Sequence, residues 1–525
     1  MDTPRTARRP AALLAVALAA ACLSTVPASA QAGPAVTVVV TAATGGVQAA
    51  AAAVRAAGGT VLERLPLTGG VGASLPSGTV LSPAFTVSAN LPMSVSASKT
   101  GLGRTPTAIR AALRLPAAAD QGTGTTVAVL DTGVADSPDL AGRLTHLDAS
   151  GTWAAGEPRD GFGHGTFVAG AVAGDGASSA GRYAGVAPGA DVVDIRVADD
   201  NGESDLLTVL KGLELAATLD VDVLNLSLSS GSTLPYQIDP LTVALDKLWA
   251  AGVVVVVPSG NDGPGMGSVT SPGTDPTLLT VGSLDERLTA DRRDDVVTAF
   301  SGRGPAPQDV AKPDLVAPGQ SLVSLRAPGS LAEQGNPDSV VAGNYFRGSG
   351  TSFSTALVSG AAAVLLQQRA DLRPDQIKAL LTGTAYAAKA LRDAREAGAG
   401  GLDVAAALAA PRPDVADAVL DAPPPGDEAG WERFLQAVED GDQAAATAAW
   451  DQLSPASHRW AANSWSSHRW ATADADADAW QMRFWAADRW ASHRWASHRW
   501  AQEDWASSRW ASSRWASSRW AGAWQ

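Results

Sequence analysis

Four short stretches of this chain carry residues whose types suit acyl-transfer chemistry. The first is Gly348-Ser-Gly-Thr-Ser352-Phe-Ser-Thr-Ala-Leu-Val-Ser-Gly360, where a serine sits between a Gly-rich turn and an apolar run of small residues, Ala356 to Leu366. A serine at the start of a helix has its backbone N–H among donors that lack a helical partner, and negative charge is favoured there. Its hydroxyl is placed to attack a carbonyl while the resulting oxyanion is held. The second stretch ends a Val-rich run in Asp131-Thr-Gly133, the third is Asp160-Gly-Phe-Gly-His164-Gly-Thr-Phe-Val-Ala-Gly170, and the fourth is Pro258-Ser-Gly260-Asn261-Asp-Gly263. Each has an ordinary structural reading when taken singly: a helix N-cap, an Asx turn, a helix-capping histidine, an Asn chosen for a Gly turn. Together they supply a nucleophile (Ser352), a general base (His164), a carboxylate to orient that base (Asp131) and an oxyanion donor (Asn261).

The elements around these residues read as an α/β domain. Short apolar runs at Thr126–Leu130, Val192–Val197, Val221–Leu228 and Val253–Val257 are bounded by turn residues and separated by helix-length stretches. Runs of this kind suit a mostly parallel sheet covered by helices on both faces, a three-layer arrangement. In such sheets sites form beyond the carboxyl ends of the strands, where Asp131 and Asn261 fall. His164 opens a further small-residue helix, Thr166 to Ala173. His146 is the only other histidine of this domain.

The motifs Val129-Leu-Asp131-Thr-Gly133, His164-Gly-Thr-Phe-Val-Ala-Gly170 and Gly350-Thr-Ser352-Phe-Ser354, in the order acid, histidine, serine, resemble those of the subtilisin-like serine proteases. Supporting pieces are Gly185-Val-Ala-Pro-Gly-Ala190, Asn225-Leu-Ser-Leu-Ser229, Phe300-Ser-Gly-Arg-Gly-Pro305 and Lys312-Pro-Asp-Leu-Val-Ala-Pro-Gly319, so the resemblance spans about residues 120–410. It implies a secreted serine endopeptidase whose polypeptide substrates lie extended beside Gly202-Glu203-Ser204 and Leu228-Ser229-Ser230, adding a strand. It implies no cofactor for the chemistry, and structural calcium without ligands that the motifs identify. Departures from the family are Phe353 in place of Met, Ala356 in place of Pro, Phe167 in place of a second His, and Pro258-Ser259 before Gly260 in place of Ala-Ala. None removes a catalytic group, but they leave pocket fit, specificity and rate open.

The remainder of the chain divides around this domain, taken as 115–410. Residues 1–30 carry Arg5, Arg8 and Arg9, an apolar run from Ala11, and Ala28-Ser-Ala30, the pattern of a secretory signal peptide. The sole cysteine, Cys22, falls inside it, so a processed chain holds no disulfide. Residues 31–100 form a small α+β module: a strand at Val36–Val40, a helix at 46–57, a strand at Thr60–Leu65, in a βαβ-type order. By the resemblance this module is an inhibitory propeptide; a plain N-terminal subdomain is the other reading. A helical segment, Thr107 to Leu113, leads into the main domain. A Pro-rich linker (411–426) and a helical segment (427–455) precede a tail, 456–525, in which Trp recurs every five residues from Trp460 to Trp520, missing only at Ala475. Five residues advance a helix by about 500°, so no single stripe results, and on a strand the Trp alternate faces. The tail reads either as exposed low-complexity chain or as an attachment to cell envelope, polymer or a like tail, with Arg–Trp pairs available for cation–π contact. His458, His468, His493 and His498 are too irregularly spaced for a metal motif. A net charge of −14 argues against a nucleic-acid partner. The rival reading, an envelope-associated binding protein built on a protease-like scaffold, is disfavoured by the complete set of four catalytic roles.

Overall fold

The computed structural model describes residues 34–415 apart from 44–45, 96–106, 116–120, 154–158, 290 and 307–309, together with isolated helical positions between 430 and 452. The signal-like segment, most of 427–455 and the Trp-repeat tail lie outside the described residues.

The main domain is built on an eight-stranded sheet. Its order is Val296–Val297, Leu279–Asp285, Val254–Pro258, Val223–Leu226, Thr126–Asp131, Asp191–Arg196, Leu144–Asp148, with Leu315–Pro318 also beside Leu279–Asp285. All pairings are parallel except that of Val296–Val297. The Val-rich runs become central strands because both faces are covered: every residue of Val254–Pro258 and of Leu279–Asp285 is buried. Helices His164–Ala173 and Thr351–Gln368 pack on each other and on the sheet; helices Leu206–Ala216 and Pro240–Ala250 pack together and on it as well. Thr351–Gln368 is buried along its whole course from Thr351 to Leu366. Small residues allow this close approach, and a Cβ at Gly360 would come within 2.6 Å of the Val186 Cβ.

Two expectations about this domain need correction. The run Val221–Leu228 is not one strand. Val223–Leu226 belongs to the parallel sheet, and Leu228–Ser230 to a separate three-stranded sheet. The break falls at Ser227, whose hydroxyl accepts from Asn225 Nδ2 at 2.8 Å and faces the Ser352 carbonyl at 3.3 Å. Those contacts turn the chain out of the sheet. The segment Thr107–Leu113 is only partly helical: Thr107–Ala108 pairs in parallel with Leu322–Val323, and the helix is Ile109–Ala112. The edge of the Leu322–Leu325 strand captures those first residues.

The N-terminal module is a four-stranded antiparallel sheet, in the order Thr60–Leu65, Gly70–Pro76, Ala35–Ala42, Phe85–Ala89, carrying the helix Gly46–Ala56. Ala35–Ala42 and Thr60–Leu65 run in the same direction but are separated by Gly70–Pro76, which makes the βαβ unit a split one. Val38, Val40, Ala50, Ala51, Val54, Val71 and Leu75 form its own core.

Candidate active site

Asp131 is the last residue of strand Thr126–Asp131 and is fully buried. Its Oδ1 accepts from the Thr132 backbone N–H at 2.8 Å. His164 is the first residue of its helix, behind Gly163, whose φ of 100° suits only glycine and where a Cβ would lie 2.5 Å from the Ser330 hydroxyl. The imidazole Nδ1 sits 2.8 and 3.0 Å from the two Asp131 oxygens. An ionised carboxylate only accepts, so Nδ1 carries the proton and Nε2 keeps the lone pair. That tautomer is the one a general base needs.

A further carboxylate braces this pair. Asp160 accepts from Thr132 Oγ1 (2.8 Å) and the Gly163 N–H (2.6 Å) through one oxygen, and from the Thr166 N–H (2.9 Å) and hydroxyl (2.6 Å) through the other. Thr132 Oγ1 in turn accepts from the Gly165 N–H at 3.0 Å. Burial pushes the Asp160 carboxyl up from its ordinary range, and those four hydrogen bonds oppose the shift. Asp160 thereby ties the turn after Asp131 to the first turn of the His164 helix. It stands in the quoted motif, but an Asp before Gly-Phe-Gly looks like any turn residue, and no role for it is legible in the sequence.

Ser352 is the second residue of its helix and is almost wholly buried. Its hydroxyl donates to the Ser227 carbonyl at 3.3 Å. His164 Nε2 is buried without a hydrogen-bond partner among the described residues. The two groups are therefore not hydrogen-bonded to each other in this arrangement, as the expected proton transfer requires. The bond to Ser227 is long, and the lone pair of Nε2 has no competing donor. Asn261 follows Gly260, whose φ is 94°. Its Oδ1 accepts from both the Thr351 N–H (3.0 Å) and the Thr351 hydroxyl (3.1 Å). Two donors on that atom fix which end of the carboxamide is oxygen, so Nδ2, the donor end, is presented on the other side. Thr351 was quoted in the serine motif without a role; here it orients Asn261.

The six residues expected to bind substrate line a groove, and the groove holds a strand of this same chain. Pro92–Val95 runs antiparallel between Glu203–Asp205 and Leu228–Ser230. Glu203 pairs with Ser94 and Ser204 with Met93 on one side; Leu228 pairs with Val95, Ser229 with Ser94 and Ser230 with Met93 on the other. The Val95 N–H donates to the Gly202 carbonyl at 3.1 Å. Side chains along the strand alternate, with Met93 and Val95 buried and Pro92 and Ser94 exposed.

Residues 122–400, just over half of the chain, match the Subtilase family of peptidases (Peptidase_S8). The chain belongs to the subtilase family. It is 42% identical over 270 residues to serine protease AprX of Bacillus subtilis, a match covering 50% of this chain and 61% of AprX. With Subtilisin Savinase of Lederbergia lenta it shares 33% identity over 266 residues, 50% of this chain and 84% of Savinase. Among solved structures it resembles fervidolysin from Fervidobacterium pennivorans, described as a keratinolytic enzyme related to subtilisin. The TM-score is 0.55 at 24% identity, covering 73% of this chain and 62% of that one, a likeness of fold. The central domain is thus a subtilisin-like serine peptidase domain.

Two of the departures from other subtilases meet at this site. The Phe353 ring lies with its centroid 4.0 Å from that of Phe167 and 5.3 Å from that of His164. Among the described residues no group of three or more His, Cys, Asp or Glu is placed to hold a metal ion. Near Asp314, carbonyl and carboxylate oxygens converge on two ammonium groups. Lys312 Nζ donates to the Leu278 carbonyl (2.8 Å) and Asp314 Oδ2 (2.7 Å), and Lys378 Nζ to the Pro276 (2.7 Å) and Leu278 (2.9 Å) carbonyls, with Asp314 Oδ1 at 3.0 Å.

Proposed function

We propose that the chain is a serine endopeptidase exported as a proenzyme, hydrolysing peptide bonds through Asp131, His164 and Ser352. The observation that carries this reading is the buried Asp131–His164 pair, which leaves an unpartnered Nε2 in a site where Ser352 opens a helix. The Ser352 hydroxyl attacks the substrate carbonyl as His164 Nε2 takes its proton, and Asp131 holds the imidazolium that forms. The oxyanion is held by Asn261 Nδ2 and the Ser352 N–H. His164 then protonates the leaving amine, an acyl-enzyme remains on Ser352, and water activated by His164 releases it. Polypeptide enters as a strand between 202–204 and 228–230, because main-chain pairing accepts many sequences.

The proenzyme part rests on the strand Pro92–Val95 lying in that groove. A substrate cannot pair with Leu228–Ser230 while it is there, so the module 31–100 inhibits until removed. Export rests on the signal-like residues 1–30, and no described helix is long and apolar enough to cross a membrane. A serine-directed fluorophosphonate probe tests the reading. The secreted, processed chain should be labelled and hydrolyse casein, and Ser352→Ala should abolish both. Processed protein that folds but takes no label refutes it.

A further inference from the structure

The main domain holds one histidine besides His164, and it too is paired with a buried carboxylate. His146 lies on the edge strand Leu144–Asp148, in register with Asp194 of Asp191–Arg196, which is in turn in register with Val129, two residues before Asp131. Its Nδ1 is 2.8 Å from Asp194 Oδ2, and its Nε2 faces the exposed Asp136 carboxylate at 3.3 Å. Asp194 is 2% exposed, and its Oδ1 has no hydrogen-bond partner among the described residues. A carboxylate buried this deeply is costly to keep ionised unless a cation stands beside it. The other charges around the pair are held elsewhere. Arg196 is bound by Asp200 and the Arg159 carbonyl, Arg143 by the carbonyls of Asp139, Ala173 and Ala190, and Asp139 by the Tyr345 hydroxyl and the Ser178 N–H. Asp148 accepts from Ser150 and Gly151, and Arg159 reaches Asp136 at 3.7 Å. His146 is therefore the cation that serves Asp194.

What Asp194 holds connects the pair to the site. Its Oδ2 also accepts from the Val134 N–H at 3.0 Å, three residues past Asp131. The next N–H, that of Ala135, donates at 2.9 Å to Thr166 Oγ1 in the first turn of the His164 helix. Between these bonds and Asp131 there is little slack. Gly133 has a φ of 100°, and a Cβ on Gly165 would lie 2.2 Å from the Gly133 carbonyl oxygen and 3.1 Å from Asp131 Cβ. The turn is pressed against the helix that carries the general base, so a shift at Val134 is passed to Asp131. Resting on the peptidase reading above, we propose that His146 and Asp194 are positioning residues of the active site, a second histidine–carboxylate pair that holds the Asp131 turn through Val134 and releases it in acid.

The direction of the pH effect follows from the charges that face the pair. Burial pushes the Asp194 carboxyl up to about 6, against the pull of His146 and with a push from the Asp160 charge. Burial acts on His146 in the lowering sense, but Asp194 and Asp136 outweigh it and Arg159 together and hold the imidazole above its ordinary value. As pH falls through about 6, Asp194 takes up a proton and the ion pair is lost. The oxygen that received both Val134 and His146 then belongs to a neutral carboxyl, a weaker acceptor. This proton is additional to the one that silences His164 as a base.

The experiment measures kcat and KM of the processed enzyme on a chromogenic peptide from about pH 4 to about pH 9, together with the unfolding temperature of each chain. The acid limb of kcat/KM should be one proton steeper in the parental chain than in Asp194→Asn, since Asp160 and His164 titrate in both. At about pH 8 that variant should lose about 10-fold or more in kcat with KM within about twofold, the mark of a misplaced catalytic group rather than of weaker binding. His146→Gln leaves the buried carboxylate without its cation, so the extra step should move to higher pH by about one unit or more. Variants that unfold at lower temperature yet keep the parental acid limb overturn the proposal, because they show a purely structural role. A one-proton acid limb in the parental chain overturns it as well, and that reading needs no variant to fold. In both cases phosphonate labelling of Ser352 and peptide hydrolysis persist, and the peptidase reading stands. A parental chain that neither labels nor hydrolyses peptide refutes the peptidase reading, and this proposal falls with it.

Discussion

Lys312 is completely buried, and desolvation pushes its ammonium down from 10.5 to about 8 against the attraction of Asp314. The gap between those values corresponds to about 3 kcal/mol at roughly 1.4 kcal/mol per pH unit. The sign follows from proton counting. Below about pH 8 both folded and unfolded chains carry the charge, and the folded one bears its full burial cost. Between about 8 and 10.5 the folded chain releases the proton while the unfolded chain keeps it, so stability rises with pH across that window. Burial raises the neighbouring Asp275 to about 6, below the window, and burial together with the charge of Asp275 raises Asp246 well above its ordinary value. Burial and carboxylate partners push Tyr345 and Tyr386 up, away from the window. Lys312→Met removes the titrating group without orphaning Asp314, which retains Lys378 at 3.0 Å. Chemical denaturation of the Ser352→Ala chain, with and without Lys312→Met, between pH 7 and 10.5 isolates the effect by difference and avoids autolysis. The lysine-bearing chain should gain about 3 kcal/mol on the methionine variant across that range. A difference that is flat, or that falls with pH, refutes the reasoning.

Asn261→Leu should lower kcat about 10²–10³-fold with little change in KM, the scale known for oxyanion donors in subtilisin itself; an equal rise in KM would point to ground-state binding instead. Gly202→Ala places a side chain at φ 76° and within 2.8 Å of Val95, so it should impair both docking of the groove strand and hydrolysis of long peptides, read as slower processing and lower kcat/KM. Phe167 and Phe353 are in ring contact, so a double-mutant cycle to Ala, scored on kcat/KM, should show coupling of about 0.5–1.5 kcal/mol; additivity would mean that the pair does not act together on His164.

What was legible from the sequence is what is local. Asp131 ends a strand, His164 and Ser352 open helices behind glycines, and Asn261 sits in a Gly turn; each position is set by neighbours in the chain, so type and spacing reveal it. The split at Ser227 was hidden, since Val221 to Leu228 is uniformly apolar but for Asp222, Asn225 and Ser227, and only contact with the Ser352 segment, 125 residues away, bends it. Asp160 was hidden in another way: three of its donors, from Gly163 and Thr166, lie in its own motif where any turn-closing Asp would meet them, and only Thr132, 28 residues away, ties it to the Asp131 turn. The lysine pair was less visible still. Lys312 belongs to a family-like motif, and nothing near it in sequence announces that the Pro276–Leu278 carbonyls and Lys378 converge there. Nor does the sequence say that residues 92–95 leave the module's own sheet, because main-chain pairing leaves almost no mark on side-chain pattern beyond the alternation of Met93 and Val95.

The departures from other subtilases take on physical sense only in three dimensions. Replacing Met by Phe353 adds ring area beside the His164 imidazole, and a polar His at 167 would face that ring; Phe167 instead packs on it at 4.0 Å. The two changes amount to one, an aromatic pair whose Phe353 ring sets apolar surface beside the His164 imidazole, 5.3 Å between centroids. Ala356 acts differently. It lies within the first turns of the buried helix, and unlike proline it offers a backbone N–H to the carbonyl four residues back, which is that of Ser352. The same carbonyl receives the Ser227 hydroxyl. The Ser227 hydroxyl and the helical N–H at Ala356 thus both reach the carbonyl of the nucleophile's own residue, and the family proline, lacking an N–H, would supply only the first of these.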